Sequence, residues 1–128
     1  MSQKKLLIVE DNELNLKLYM YALKTVKVEI LVAKNGDEAL NLIRTQKPDV
    51  MVLDIQIPGK SGIEVAKIVR ANPEFKNMLI IAVTAYSMAG DKEKILGAGC
   101  NYYLSKPIDT RAFPKIIQNL LDGKEPPI

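Results

Sequence analysis

Short apolar runs alternate along the chain with stretches in which apolar residues recur every three or four positions. The runs at 4–10 (containing KLLIVE), 28–33 (VEILVA), 50–54 (VMVLD), 79–84 (LIIAVT) and 101–105 (NYYLS) have the length of strands. Five helical stretches lie between and after them. The clearest is the last, where Phe113, Ile116, Ile117, Leu120 and Leu121 form one apolar stripe, with Asp109 or Thr110 placed to cap its start. Gly36 before the second helix, Pro48 before the third strand, and Gly97 and Gly99 after the fourth helix supply the punctuation. Two of the middle runs are apolar on both faces, as strands are when helices cover both sides of a parallel sheet. Strand then helix, repeated along the chain, predicts a doubly wound α/β fold, whose binding crevice lies at the carboxyl ends of the strands near the switch in strand order.

Composition narrows what such a crevice could do. The chain has 128 residues, 48% hydrophobic and 26% charged, enough for one core, so a single domain over 1–128 is expected, with its core over about 4–121 and a frayed tail from Gly123. The longest apolar run, Met78 to Val83, is far short of the roughly 20 residues of a membrane span, and the N-terminus has no secretory signal, so a cytoplasmic protein without membrane contact is expected. A single cysteine, Cys100, leaves no internal disulfide and reads as a packing residue. There is no histidine, which removes Ser-His-Asp and Cys-His catalysis and the usual zinc sites. A net charge of +3 with interspersed signs does not suggest a nucleic-acid partner.

The ends of the strands hold what chemistry remains. Glu10 and Asp11 follow the first, Asp54 ends the third, Thr84 the fourth, and Lys106 follows the fifth. Taken singly each has a plain reading: Asp11 or Asn12 as a helix cap, Thr84 as a strand end, Lys106 as a surface lysine. Taken together they should converge, and three carboxylates in one crevice repel one another unless a cation joins them. An oxygen-only site with room for water suits Mg²⁺.

The acid pair in VEDN, the aspartate in LDIQIPGKSG, the hydroxyl in VTA and the lysine in YLSKPI resemble, in order and spacing, the receiver domains of two-component response regulators. The resemblance runs from Lys4 to about Leu121. VEDNELN, GDEALNLI and MAGDKEKILGAGC are most similar to single-domain cell-cycle receivers of the DivK type, although such words also occur in receivers of hybrid kinases. The resemblance implies a flavodoxin-like five-stranded sheet in the order 2-1-3-4-5. It implies Asp54 as acceptor of a phosphoryl group from a phosphohistidine, with Mg²⁺, or Mn²⁺ in its place, held by Asp11, Asp54 and the backbone carbonyl of Gln56, and by Glu10 through water. Lys106 would pair with one phosphoryl oxygen and Thr84 with another, the Lys106–Pro107 bond would be cis, and Thr84 and Tyr103 would form the switch. For Tyr102 simple alternation across the strand is the plainer reading. Gln56 and Tyr86 would flank the path of water to the phosphoryl group.

The partners so implied are a sensor histidine kinase or phosphatase, or a histidine phosphotransfer protein, and a downstream protein at the face of helix four, strand five and helix five. A monomer is expected, with dimerisation on phosphorylation left open. Helix one carries two apolar stripes, Leu14, Leu18 and Tyr21 or Ala22 on one side and Leu16, Tyr19, Met20 and Leu23 on another, wider than a sheet contact requires. The excess is either a docking face for kinase helices or packing against helix five. Three rivals differ in class. An aspartyl phosphatase would need a second Asp where Gln56 stands, a nucleotide module would need a glycine-rich loop after the first strand, and a receiver-like adaptor would bind partners without phosphorylation. A phosphorelay intermediate is a further variant of the main reading. No enzyme with turnover on a small substrate is expected.

Overall fold

Alternation of side chains along the strands decides how the molecule is layered. In the computed structural model, which describes residues 3–85 and 91–127, the elements are β1 (Lys5–Val9), α1 (Glu13–Ala22), β2 (Glu29–Ala33), α2 (Gly36–Gln46), β3 (Val50–Asp54), α3 (Gly62–Ala71), a 3-10 turn (Pro73–Phe75), β4 (Leu79–Thr84), α4 (Asp91–Gly97), β5 (Tyr102–Ser105) and α5 (Phe113–Leu121). All strand pairs are parallel, in the order β2-β1-β3-β4-β5. The doubly wound sheet read from the sequence is thus the sheet observed, and every strand lies within its expected run.

On one face Leu6, Ile8, Val50, Val52, Ile81 and Val83 meet α1 and α5. The intervening Leu7, Val9, Met51, Leu53, Ile80 and Ala82 meet α2, α3 and α4 on the other. β3 is buried along its whole length, which explains its apolar run without alternation. α5 buries all five of its expected stripe residues, and Phe113 packs on Tyr19 of α1 with ring centroids 5.3 Å apart. Neither Asp109 nor Thr110 caps α5, whose N-cap is Ala112 without a side-chain bond; Asp109 Oδ1 instead accepts from the N–H groups of Arg111 and Ala112 at 2.8 and 3.2 Å, holding the turn that leads into the helix. Past α5 two hydrogen bonds connect the chain back to Asn119 as far as Glu125. The Lys124 N–H donates to the Asn119 carbonyl, and the Asn119 amide donates to the Glu125 carbonyl, both at 2.8 Å.

Two glycines mark where backbones come close. Gly99 has φ +111°, and a Cβ there would lie 2.2 Å from Cγ of Arg70. The guanidinium runs past it to the carbonyls of Gly99 and Phe75 and to Asn101 Oδ1, holding the α4–β5 corner at the amino end of the sheet. Gly62 opens α3 at the other end. A Cβ on it would meet the Asp54 carbonyl at 2.6 Å and Ile55 Cα at 2.7 Å, and its N–H donates to the Ile55 carbonyl at 3.0 Å. Among the described residues no helix is long and apolar enough to cross a membrane.

Both neighbours of Gly62 are backbone and cannot swing aside, so a methyl there must displace the end of β3. Gly62→Ala is expected to lower stability by about 1–3 kcal/mol, measured as a drop in the urea midpoint at unchanged slope.

Candidate functional site

Between β1 and β3 the chain order reverses, since β2 lies on one side of β1 and β3 on the other. Crevices in doubly wound sheets open at such a point, beyond the carboxyl ends of the strands. Parallel pairing delivers the polar residues there: Val9 stands opposite Leu53, and Asp54 opposite Val83. The next residues, Glu10 and Thr84, therefore reach the same rim. The Lys106 N–H donates to the Thr84 carbonyl at 2.8 Å, which carries the ladder one step past β5.

Glu10, Asp54 and Thr84 are the buried polar residues among those described, at 1%, 2% and 1% exposure. Lys106 Nζ lies 2.9 Å from Asp54 Oδ2 and 3.3 Å from Glu10 Oε1. Asp54 Oδ1 accepts the Gln56 N–H at 3.0 Å, and Glu10 Oε2 accepts the Asn12 N–H at 3.2 Å. Oxygens of Glu10, Asp11 and Asp54 lie within 4.8 Å of one another. Asn12, not Asp11, caps α1, its Oδ1 accepting the Asn15 N–H at 3.0 Å. The exposed Asp11 carboxylate therefore stays at the rim with the other two.

Burial pushes the Glu10 carboxyl above its ordinary value; the Asn12 N–H works against this, the Asp54 charge adds to it, and the Lys106 charge opposes it. For Lys106 burial alone would lower the ammonium, but its hydrogen bond to Asp54 and the charges of Asp54 and Glu10 outweigh burial and hold it above an ordinary lysine. Tyr19, buried behind the site, has its phenol pushed up by burial and by the two carboxylates.

The donor set fits a hard divalent cation on two observations. Glu10 Oε1 is buried and makes no hydrogen bond; its contact with Lys106 is an ion pair only. The three clustered groups supply oxygen alone, as Mg²⁺ prefers, and Asp11 stands at the open side where water can complete the coordination.

All five residues singled out at the strand ends are thus brought to one rim. The Lys106–Pro107 bond is cis. Tyr102 and Tyr103 are both half-buried and lie against opposite faces of the sheet, Tyr102 on the α1/α5 side and Tyr103 on the α2–α4 side. The two rings thus alternate across β5, one per face, as expected of Tyr102. Tyr86 lies outside the described residues. One contact has no counterpart in the sequence reading: the Gln56 side-chain amide donates to Thr84 Oγ1 at 2.8 Å. These residues are 28 apart in the chain, and no local pattern links them. The stripes of α1 differ from the expected grouping, since Met20 falls on the exposed side and Ala22 on the buried one. Leu16, Tyr19, Ala22 and Leu23 are buried against the sheet and α5, while Leu14 (72%), Leu18 (39%), Met20 (39%) and Tyr21 (62%) remain exposed.

Comparison with known proteins agrees with this arrangement. Residues 6–118 match the model of the response regulator receiver domain. The polar-differentiation response regulator DivK of Brucella anthropi is 43% identical over 118 residues, covering 92% of this chain and 96% of the relative. Among solved structures, the receiver domain of sensor histidine kinase PA1611 from Pseudomonas aeruginosa PAO1, with a magnesium ion coordinated in its active site cleft, superposes with a TM-score of 0.84 at 28% identity, covering 94% of this chain and 99% of that one. The Mn²⁺-bound form of response regulator Rcp1 superposes at 0.78 with 25% identity, over 91% of each chain.

A carboxyl raised by folding keeps its proton to higher pH in the folded state than in the unfolded chain. The cost of ionising Glu10 is therefore absent below its ordinary value of 4.5, grows as pH rises through the raised value, and is fully present above it. In EDTA, Glu10→Gln is expected to raise the urea midpoint at pH 7, with an advantage that shrinks as pH falls from the raised value toward 4.5 and is gone below it. A variant less stable than wild type at pH 7 would contradict this.

Proposed function

Because the chain belongs to the response regulator receiver family, we propose that it accepts a phosphoryl group on Asp54 from a phosphohistidine of a sensor kinase or histidine phosphotransfer protein. The observation that carries this reading is the Asp54 carboxylate, buried at the end of the central strand, in contact with Lys106 and clustered with two further acids. Receiver domains are phosphoacceptor signalling modules rather than enzymes with turnover on a small substrate, and the residues here support the same economy. An Asp54 oxygen attacks phosphorus, the O–P bond forms as the P–N bond to imidazole breaks, and the electron pair returns to the imidazole nitrogen. The phosphodonor histidine belongs to the partner, consistent with a chain that has none.

Asp11, Asp54 and the Gln56 carbonyl would hold Mg²⁺, with Glu10 acting through water, and Mn²⁺ could stand in its place. When bound, the cation supplies positive charge against the phosphoryl oxygens. Lys106, now engaged with Asp54 and Glu10, needs only to shift from a carboxylate oxygen to a phosphoryl oxygen, keeping a charge-assisted bond throughout. Thr84, one residue beyond the partner of Asp54 on β4, would turn its hydroxyl to another phosphoryl oxygen. Tyr103 would follow, altering the face of α4, β5 and α5 where a downstream protein binds. The same residues would support slow self-dephosphorylation.

As a unit the chain would serve as a cytoplasmic receiver, monomeric before phosphorylation, in cell-cycle or differentiation control, the latter being what the name of the DivK relative suggests. The exposed Leu14, Leu18 and Tyr21, on the helix that starts beside the acid rim, favour a second element of the reading: a docking face for the helices that carry the donor histidine.

Intact mass after incubation with Mg²⁺ and acetyl phosphate tests the central step. One phosphoryl group is expected on wild type and none on Asp54→Asn or in EDTA. A folded wild type that never acquires the group from acetyl phosphate or from a phosphorylated histidine donor would leave the chain a phosphorylation-independent adaptor.

Replacing Leu14, Leu18 and Tyr21 together by serine should slow transfer from a phosphohistidine protein by about tenfold or more, the effect of losing one interface anchor. The acetyl phosphate rate should be unchanged. Equal rates from both donors in variant and wild type would remove the docking role.

A further inference from the structure

Gln56 touches the site twice. Its backbone N–H donates to Asp54 Oδ1 at 3.0 Å, and its side-chain amide donates to Thr84 Oγ1 at 2.8 Å. The first bond ties the peptide of Gln56 to the phosphoacceptor, and the second ties the residue's far end to the hydroxyl on the neighbouring strand. From this geometry we infer that the Gln56 side chain is a positioning residue that latches Thr84 in its unphosphorylated place.

Thr84 is buried at 1% exposure, and a buried hydroxyl is held by the hydrogen bonds it makes. The amide of Gln56 contributes one from the side of a cavity of about 240 Å³ lined by Gln56, Thr84, Ile55, Ile63, Lys94 and Ile95. Resting on the reading that a phosphoryl group on Asp54 draws Thr84 inward, that motion must either break the amide bond or drag the amide along. Gln56 cannot follow as a unit, because its peptide N–H is held at the Asp54 carboxylate and the residue sits immediately after Ile55, whose N–H is bonded to the Val83 carbonyl. The bond is therefore made in the resting position and lost or rebuilt in the other, so it weights the equilibrium between the two. The plainer alternative is that an exposed glutamine has merely found a convenient acceptor. The two differ in what happens to Thr84 in the resting protein when the donor is removed.

Gln56→Met keeps the length of the side chain, removes the donor, and leaves the backbone N–H and carbonyl in place. The Thr84 methyl resonance is followed by ¹H–¹³C spectroscopy in wild type and variant, each with Mg²⁺ alone and with Mg²⁺ and beryllofluoride, a stable mimic of the phosphoryl group. One lost hydrogen bond should raise the population ratio of the inward state by about fivefold. The Thr84 methyl of the variant with Mg²⁺ alone should move from the wild-type position toward the beryllofluoride position, and the apparent dissociation constant for beryllofluoride should fall by a similar factor while the inward state remains the minor one. A wild-type value for either quantity overturns the latch. If wild type binds beryllofluoride without movement of Thr84, the latch is lost while phosphoacceptance by Asp54 stands. If wild type fails to bind it at all, and fails to gain a phosphoryl group as well, both readings fall together.

Discussion

Two carboxylates buried side by side and held by one lysine set the terms for the rest of this molecule. Glu10 and Asp54 are almost without solvent, and their charges are opposed by Lys106, itself only one-fifth exposed. Ion clusters of this kind contribute little to stability, because removing the groups from water costs about as much as their attraction returns. Their cost is spread over a sheet whose central strands are apolar on both faces. That core tolerates one unfavourable corner.

Lysine is the side chain that the geometry requires. Lys106 follows β5, and Asp54 ends β3, with β4 between them. At about 4.8 Å between neighbouring strands the gap is roughly 10 Å, which a long flexible side chain crosses from the edge of the sheet while its stem lies along the rim. The same arrangement leaves Thr84, on the intervening strand, beneath the crossing. Carboxylate, hydroxyl and ammonium therefore come from three neighbouring strand ends, β3, β4 and β5. α1 has a related double duty. Leu16, Tyr19, Ala22 and Leu23 close the core beside α5, and the remaining apolar residues of the helix are exposed.

Much of this was legible before the fold was known. Alternation and apolar runs place all five strands, because a strand buried on both faces must be apolar throughout and a helix lying on a sheet must repeat its stripe. The α5 stripe is the plainest case, with all five expected residues buried. Local chemistry was less decisive where two neighbours could serve equally. Asn12 rather than Asp11 caps α1, and neither Asp109 nor Thr110 caps α5, because the helix starts only at Phe113 and Asp109 is spent on the turn before it. The residues after Gly123 have the composition of a loose end, and the Asn119 side chain, one turn back on α5, bonds to the Glu125 carbonyl among them.

Hydrophobic period and strand length are local properties of the chain, and from them alone follow the identity of the elements and the set of polar residues at their ends. Composition fixes which chemistries are absent, because no fold supplies an imidazole to a chain without histidine. Which of those polar groups touch is settled by the packed fold. That Lys106 meets both Asp54 and Glu10, that Glu10 rather than Asp11 is the buried acid, and that Gln56 reaches Thr84 all depend on strand order and register. Those are set by how the whole core packs, and contacts between residues 28 or 52 positions apart leave no mark in any local pattern.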